Sequence, residues 1–301
     1  MQKVNIKNYI DWQEYEKIAT DKNKGYYELE HISTIYDELE KFKFDEIKTE
    51  FYFDNNKVFI RGAVTRIGAY SNIGKSKFAY WVESMMLRNG YAGLHFSTEV
   101  VSPLVLANLI SIFDQVDFGN VVSKKHIPTK ECREKTARLQ IYDSKRGSLY
   151  LENIKDYIIA NGDKAIDFIV IDFCQSVFDY QRNYRDYERM SAYALELQQI
   201  AQKFNICVID LSQLANDAVK NDYKQSGFIA YKGSGGLYAS ADIGIQLTRN
   251  KQESPDLLVC EIRKHKFYKT SDMSFKVDFA TGQMKLDDLN YRKEQKRIPN
   301  L

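Results

Sequence analysis

Proline and cysteine are both scarce in this chain of 301 residues, with four of each. So few prolines exclude a proline-rich stalk or stiff linker. The cysteines, Cys132, Cys174, Cys207 and Cys260, lie far apart with no C-x-x-C pair. That spacing argues against both a disulfide scaffold and structural zinc. Cys174 and Cys207 stand in apolar, strand-like runs, as small buried hydrophobes do. No apolar run approaches the roughly 20 residues a membrane-crossing helix needs, so no membrane association is expected. Met1 to Glu14 carry no apolar core ahead of a small-residue cleavage site, so no secretory leader is expected and a cytoplasmic location is. Charge of one sign is missing too: 43 Lys and Arg face 41 Asp and Glu, leaving a formal charge of +2. The chain as a whole is no obvious polyanion binder, although a local basic patch suffices for one.

What is present is 44% hydrophobic residues, with 21 Tyr and 17 Phe, enough to bury a sizeable core. The length fits one large or two modest domains. Residues 1–50 are mixed and charged, with short helical patterns over 12–22 and 32–42, and read as an N-terminal arm or linker-helix region. From about residue 58 the pattern changes to alternating strands and helices. Strands are expected over 64–70, 91–97, 138–142, 165–173, 206–211, 242–247, 257–263 and 273–279. Helices are expected over 75–89, 103–113, 151–161 and 191–204. Thr281-Gly282 should turn the last strand into 283–286 as a C-terminal hairpin. The run Ala165 to Phe173 is nearly all apolar between polar segments, as a parallel strand covered on both faces is. The alternation predicts an α/β fold over 51–286 with a mainly parallel central sheet flanked by helices, followed by a polar basic tail over 287–301.

The sharpest local signal is Gly68-Ala69-Tyr70-Ser71-Asn72-Ile73-Gly74-Lys75-Ser76. It follows G-x-x-x-x-G-K-[ST] with Ala69 at the first glycine of the usual loop, and lies between an expected strand and an expected helix. An alanine serves there if its φ stays negative. Such a loop curls its N–H groups around phosphates at a helix N-terminus. The expected ligand is ATP with Mg²⁺. Its contacts are Ala69, Ser71, Asn72, Ile73, Gly74, Lys75, Ser76 and Lys77, with Lys75 reaching the β- and γ-phosphates and Ser76 the metal. Asp172, closing the apolar strand, is the expected second metal-site group. Asp167, at that strand's start, is expected to face solvent. Glu99, just beyond a strand, reads either as the general base or as a helix-capping acid. Gln213 reads either as a γ-phosphate sensor or as a surface amide.

In series these residues resemble the ATPase domain of replicative hexameric DNA helicases of the DnaB type, within the RecA-like superfamily. The family's A-R-P-S-x-G-K-[ST] loop corresponds to 69–76. Its F-S-L-E-M corresponds to Phe96-Ser97-Thr98-Glu99-Val100, and its I-D-Y-L-Q to Ile171-Asp172-Phe173-Cys174-Gln175. Its L-S-Q-L corresponds to Leu211-Ser212-Gln213-Leu214. The resemblance spans 58–286 and implies Glu99 as catalytic base and Gln213 as sensor. The family's K-Q-R-N-G run acts across a subunit interface, and Lys264-His265-Lys266 stands in its place. The resemblance therefore implies Lys264 and Lys266, which share a strand face, as groups supplied by a neighbouring subunit. Lysine provides the charge without the guanidinium fork. The family's N-terminal domain has no counterpart in residues 1–50.

Two segments correspond to the family's pore loops. In 180–189, Arg182, Arg185 and Arg189 alternate with tyrosines that can stack on bases, although a charged helix start explains the same letters. In 214–236, Lys224 and Lys232 precede or border a glycine-rich run. The resemblance implies a helicase or translocase that acts as a homo-oligomeric, hexameric ring on single-stranded DNA in replication, hydrolysing MgATP between subunits, with a helicase loader or primase as partner. The alternatives are a filament-forming recombination or repair ATPase, and a nucleotide-dependent helicase accessory protein.

Overall fold

The computed structural model describes residues 45–49, 57–143, 145, 147–160, 166–178, 186–214, 235–270 and 272–287. The chain divides into two units, Met1–Phe44 and Asp45–Leu301, and every described residue belongs to the second. The arm helices expected before residue 45 and the tail expected beyond 287 lie outside the described residues. Residues 45–49, grouped with the arm from sequence, instead pair with the core. Ile47 N donates to Phe59 O at 2.9 Å and Arg61 N to Asp45 O at 2.9 Å, and Ile47 is 2% exposed.

The elements run β1 (Val64–Ala69), α1 (Lys75–Arg88), β2 (Gly93–Ser97), α2 (Ser102–Asp114), α3 (Phe118–Val122), α4 (Lys130–Thr136), β3 (Leu139–Tyr142), β4 (Leu149–Tyr150), α5 (Leu151–Ala160) and β5 (Phe168–Asp172). They continue as β6 (Val177–Phe178), α6 (Asp186–Phe204), β7 (Cys207–Gln213), α7 (Gly235–Ser240), β8 (Ile243–Thr248), β9 (Leu257–His265), β10 (Met273–Asp278) and β11 (Gln283–Leu286). Nine strands form one sheet in the order β11-β10-β9-β8-β1-β7-β5-β2-β3. Pairing is parallel from β8 through β3 and antiparallel from β8 through β11. The expected α/β sheet with its C-terminal hairpin is the fold that forms. Helices α3 and α4 were not legible, because five and seven residues are too short to show a period. Capping marks them instead: Asp117 accepts from Gly119 N and Asn120 N, and Thr129 from Cys132 N.

Strands β1, β2 and β5 are buried along their whole length, and in β5 this is why the run Phe168 to Ile171 is apolar without alternation. On one face of the sheet, Leu94, Phe96, Ile169 and Ile171 pack with Ile154 and Ile158 of α5 and with Leu197 and Ile200 of α6. On the other, Trp81 of α1 meets Phe275 of β10 edge-on, with ring centroids 5.2 Å apart. All four cysteines are free and buried, and burial pushes the thiols of Cys132, Cys174 and Cys207 up to about 12. Among the described residues no helix is long and apolar enough to cross a membrane.

Among the described residues, two fully buried polar pairs interrupt this core. Arg66 and Asp210, register partners on β1 and β7, are each 0% exposed and pair Nε to Oδ2 at 2.6 Å. Tyr193 of α6 donates to Asp210 Oδ1 at 2.9 Å, and Arg66 Nη1 donates to Ser240 Oγ at 3.2 Å and to Leu237 O. One ion pair thus ties α6 and α7 to the sheet. The second pair is His95 Nδ1 with Glu83 Oε1 at 2.7 Å, joining β2 to α1. Burial lowers the His95 pKa, but the charge and hydrogen bond of Glu83, with the charge of Asp172, outweigh it and hold the pKa above its ordinary 6.5.

Two outcomes are expected from urea unfolding. Asp210→Ala strands the Arg66 charge and should cost about 3–5 kcal/mol, whereas Arg66→Met combined with Asp210→Leu should cost less than that single change. The raised His95 pKa contributes stability that is whole below pH 6.5 and lost as pH rises through the raised value. His95→Gln should therefore flatten the decline of stability on the alkaline side of pH 6.5.

Candidate nucleotide site

β1 delivers the loop to the carboxyl edge of the sheet. Ala69 pairs with Gln213 on one side and Leu247 on the other, and it keeps strand geometry, so its methyl group meets no penalty there. Past it the backbone turns twice into the left-handed region, at Asn72 (φ 62) and Gly74 (φ 115). A Cβ on Gly74 would lie 3.3 Å from the Phe279 ring, which would have to shift slightly, so it is the left-handed conformation that calls for glycine. Gly74 O accepts from Phe78 N at 2.9 Å, which starts α1. No side chain caps that start and no acid lies in its first turn, so its N–H groups and positive dipole end face the loop. These are the features that recognise an anion.

Neighbouring strand ends bring in the remaining groups. Asp172 ends β5, and its Oδ1 accepts from Lys75 Nζ at 3.0 Å. Ser97 of β2 is its register partner, and the Asp172 carbonyl accepts from Thr98 N (2.8 Å) and Thr98 Oγ1 (3.0 Å). Thr98 thereby fixes the chain on which Glu99 follows. Glu99 is exposed, and its carboxylate has no hydrogen-bond or ion-pair partner among the described residues. Gln213 ends β7, and its Nε2 donates to Ser71 Oγ at 2.6 Å. Ser76 lies half-buried beside Lys75. One edge of the sheet therefore gathers Ala69, Ser71, Asn72, Ile73, Gly74, Lys75, Ser76, Glu99, Asp172 and Gln213. Among the described residues no three His, Cys, Asp or Glu side chains form a metal site. A divalent ion here would depend on oxygens brought by a nucleotide, as Mg²⁺ commonly does.

Other expected residues lie elsewhere. Lys77 sits over the Phe118 ring at 5.0 Å, its pKa lowered by burial against the charges of Asp117 and Asp278. Lys264 Nζ donates to Tyr238 O and Ala239 O, both at 2.9 Å, and Lys266 Nζ meets Asp242 Oδ1 at 3.3 Å. Lys264 is paired with Gly244 near the amino end of β8, so both lysines stand at the end of the sheet opposite the loop. Arg189 of α6 donates to Val177 O, and to Gln175 O at 3.3 Å. Arg182, Arg185, Lys224 and Lys232 lie outside the described residues. Asp167 does not face solvent as expected. It is half-buried, accepting from Arg61 Nη2 at 2.5 Å and Ala92 N at 2.6 Å, and clasps the start of β5.

Sequence reasoning overlooked Arg249, beyond β8, which donates from Nη2 to Asn72 O at 2.9 Å and lies over the Phe279 ring at 4.3 Å. No local spacing marks it, because the contact crosses from β8 to the loop. It also left Gln175 as a motif letter with no role, although its carboxamide holds the backbone of Gln213.

A mainly parallel sheet whose first strand runs through this loop into an uncapped helix defines a phosphate-loop ATPase core of the RecA type. Residues 52–287 match the DnaB-like helicase C terminal domain, and the chain belongs to that family. Among solved structures it is similar to an ATPase domain, with a TM-score of 0.69 and 18% identity over 84% of this chain and 96% of that one. It is also similar to a DnaB-like replicative helicase whose structure addresses its interactions with primase, with a TM-score of 0.72 and 18% identity over 93% of this chain and 72% of that one. At such identity these likenesses concern the fold. No curated protein matches this chain by sequence.

Gly74→Ala forces a β-carbon into φ 115 and against Phe279. Binding of a fluorescent ATP analogue should weaken about ten-fold, since a left-handed residue with a β-carbon costs about 1–2 kcal/mol.

Proposed function

We propose that this chain is an ATP-driven DNA helicase or translocase whose identical subunits form a hexameric ring on single-stranded DNA in replication, with MgATP hydrolysed at subunit interfaces. One observation carries the reading. Lys75, Glu99, Asp172 and Gln213 meet at one end of the sheet, while Lys264 and Lys266 stand at the other.

Each group has a role that its surroundings support. Lys75, paired with Asp172 at 3.0 Å, turns its ammonium to the β- and γ-phosphates. The N-terminus of α1 and the N–H groups of 69–76 cradle the same phosphates. A magnesium ion bound with the nucleotide neutralises charge on the phosphate oxygens, and Ser76 and Asp172 are the residues that would hold it. Glu99, exposed and unpaired among the described residues, accepts the proton of the attacking water. Gln213, already on the loop at Ser71, registers the γ-phosphate. Lys264 and Lys266 are level with the strand starts and cannot reach their own loop across the sheet. The phosphoryl charge they stabilise is that of a neighbouring subunit.

The DNA path in this reading is lined by Arg182 and Arg185 in 179–185 and by Lys224 and Lys232 in 215–234, segments that follow β6 and β7. Arg189 holds the root of the first segment through its two carbonyl contacts. A primase or loader is the proposed partner of the assembled ring.

The test is the ATPase rate with and without single-stranded DNA, with subunit number taken by native mass in the same Mg²⁺ buffer. DNA-stimulated turnover by a hexamer, lost in Lys75→Ala and Glu99→Gln, is expected. A monomer hydrolysing ATP indifferently to DNA would remove the roles of Lys264, Lys266 and the two segments.

A further inference from the structure

The ladder between β5 and β7 ends at Ile171 and Asp210, short of Gln213. On that side, the last residues of β7 have no strand beside them among the described residues. The chain leaving β5 instead enters a 3-10 turn, Cys174–Ser176, that carries Gln175 back to the open edge. Gln175 Oε1 accepts from Gln213 N at 3.2 Å, and its Nε2 donates to Gln213 O at 3.2 Å and to Ser212 Oγ at 2.8 Å. A primary carboxamide carries both a donor and an acceptor. Here it gives Gln213 the donor and acceptor that a neighbouring strand would have supplied.

The bonds continue in both directions. Toward the phosphate loop, Gln213 Nε2 donates to Ser71 Oγ at 2.6 Å. Away from it, the Gln175 carbonyl accepts from Arg189 Nη2 at 3.3 Å, in the first turns of α6. The segment 179–185 lies between Val177–Phe178 and that helix. An unbroken series therefore runs from Ser71 through Gln213 and Gln175 to Arg189.

We infer that Gln175 is the positioning residue that fixes Gln213 against the phosphate loop and links it, through Arg189, to the root of the 179–185 segment. This rests on the ATPase reading above. The Gln175 carboxamide bonds to Ser212 and to the backbone of Gln213, so its effect passes through Gln213. It removes the freedom of Gln213 to drift from Ser71, so its loss lowers turnover rather than affinity. It also uncouples turnover from whatever occupies 179–185.

The test uses the full chain and measures kcat and KM for ATP, with and without single-stranded DNA, in wild type, Gln175→Leu, Gln213→Ala and the double variant. Gln175→Leu should lower kcat about ten-fold with KM within about two-fold, and the DNA stimulation should disappear. The double variant should be no slower than Gln213→Ala alone, because the two act as a unit. A folded Gln175→Leu with wild-type kcat, or losses that multiply in the double variant, would overturn the inference. If thermal melts show that Gln175→Leu does not fold, Gln175→Glu replaces it, retaining length and acceptor but not the donor. The same kcat loss is expected of it, and wild-type turnover overturns the proposal. Failure of the ATPase reading shows separately, as Lys75→Ala hydrolysing ATP at the wild-type rate.

Discussion

Parallel pairing places the carboxyl ends of β1, β7, β5 and β2 on one edge of the sheet, and the candidate site is a consequence of that edge. A strand end is where a chain must turn, so its side chains are freed from the core while their backbone remains anchored in it. Lys75, Gln213, Asp172 and Glu99 are far apart in sequence yet each lies at or just past such an end. Only the loop itself is local. Its left-handed Asn72 and Gly74 and the uncapped start of α1 make an anion cradle from backbone alone.

Beneath the edge, one buried ion pair ties several elements together. Arg66 and Asp210 join β1 and β7 and reach α6 through Tyr193 and α7 through Ser240. Lys264 caps carbonyls of the same α7 from β9, its pKa lowered by burial against the charge of Asp242. Helix α7 follows the 215–234 segment and is thus held from two sides by cations. A buried pair is weak evidence of stability in itself. Its value here is that it ties the last turn of α7 to β1.

The two ends of the sheet are chemically unlike. The carboxyl end carries the loop, the strand-end carboxylates and an amide. The amino end carries Lys264 and Lys266, turned to α7 and Asp242. Under the proposed function a neighbouring copy completes the site, each subunit lending these lysines to the next.

Much of this was legible in the letters. Continuous apolar runs announced buried parallel strands, Gly74-Lys75-Ser76 announced the loop, and the serial order of Glu99, Asp172 and Gln213 announced the family. These are properties of short windows, where period, turn chemistry and spacing suffice. Short windows could not show that Asp167 is clasped by Arg61 and Ala92, or that residues 45–49 belong to the core. Nor could they show that a charged Arg66 lies wholly inside with Asp210, or that Gln175 stands in for a missing strand beside Gln213. Each of these depends on which backbone lies beside which once the sheet has formed. The elements and the loop are written in neighbouring letters. Which polar groups meet is not, because a side chain's partner across the sheet is set by register and by where a neighbouring strand stops, and no window of sequence contains either.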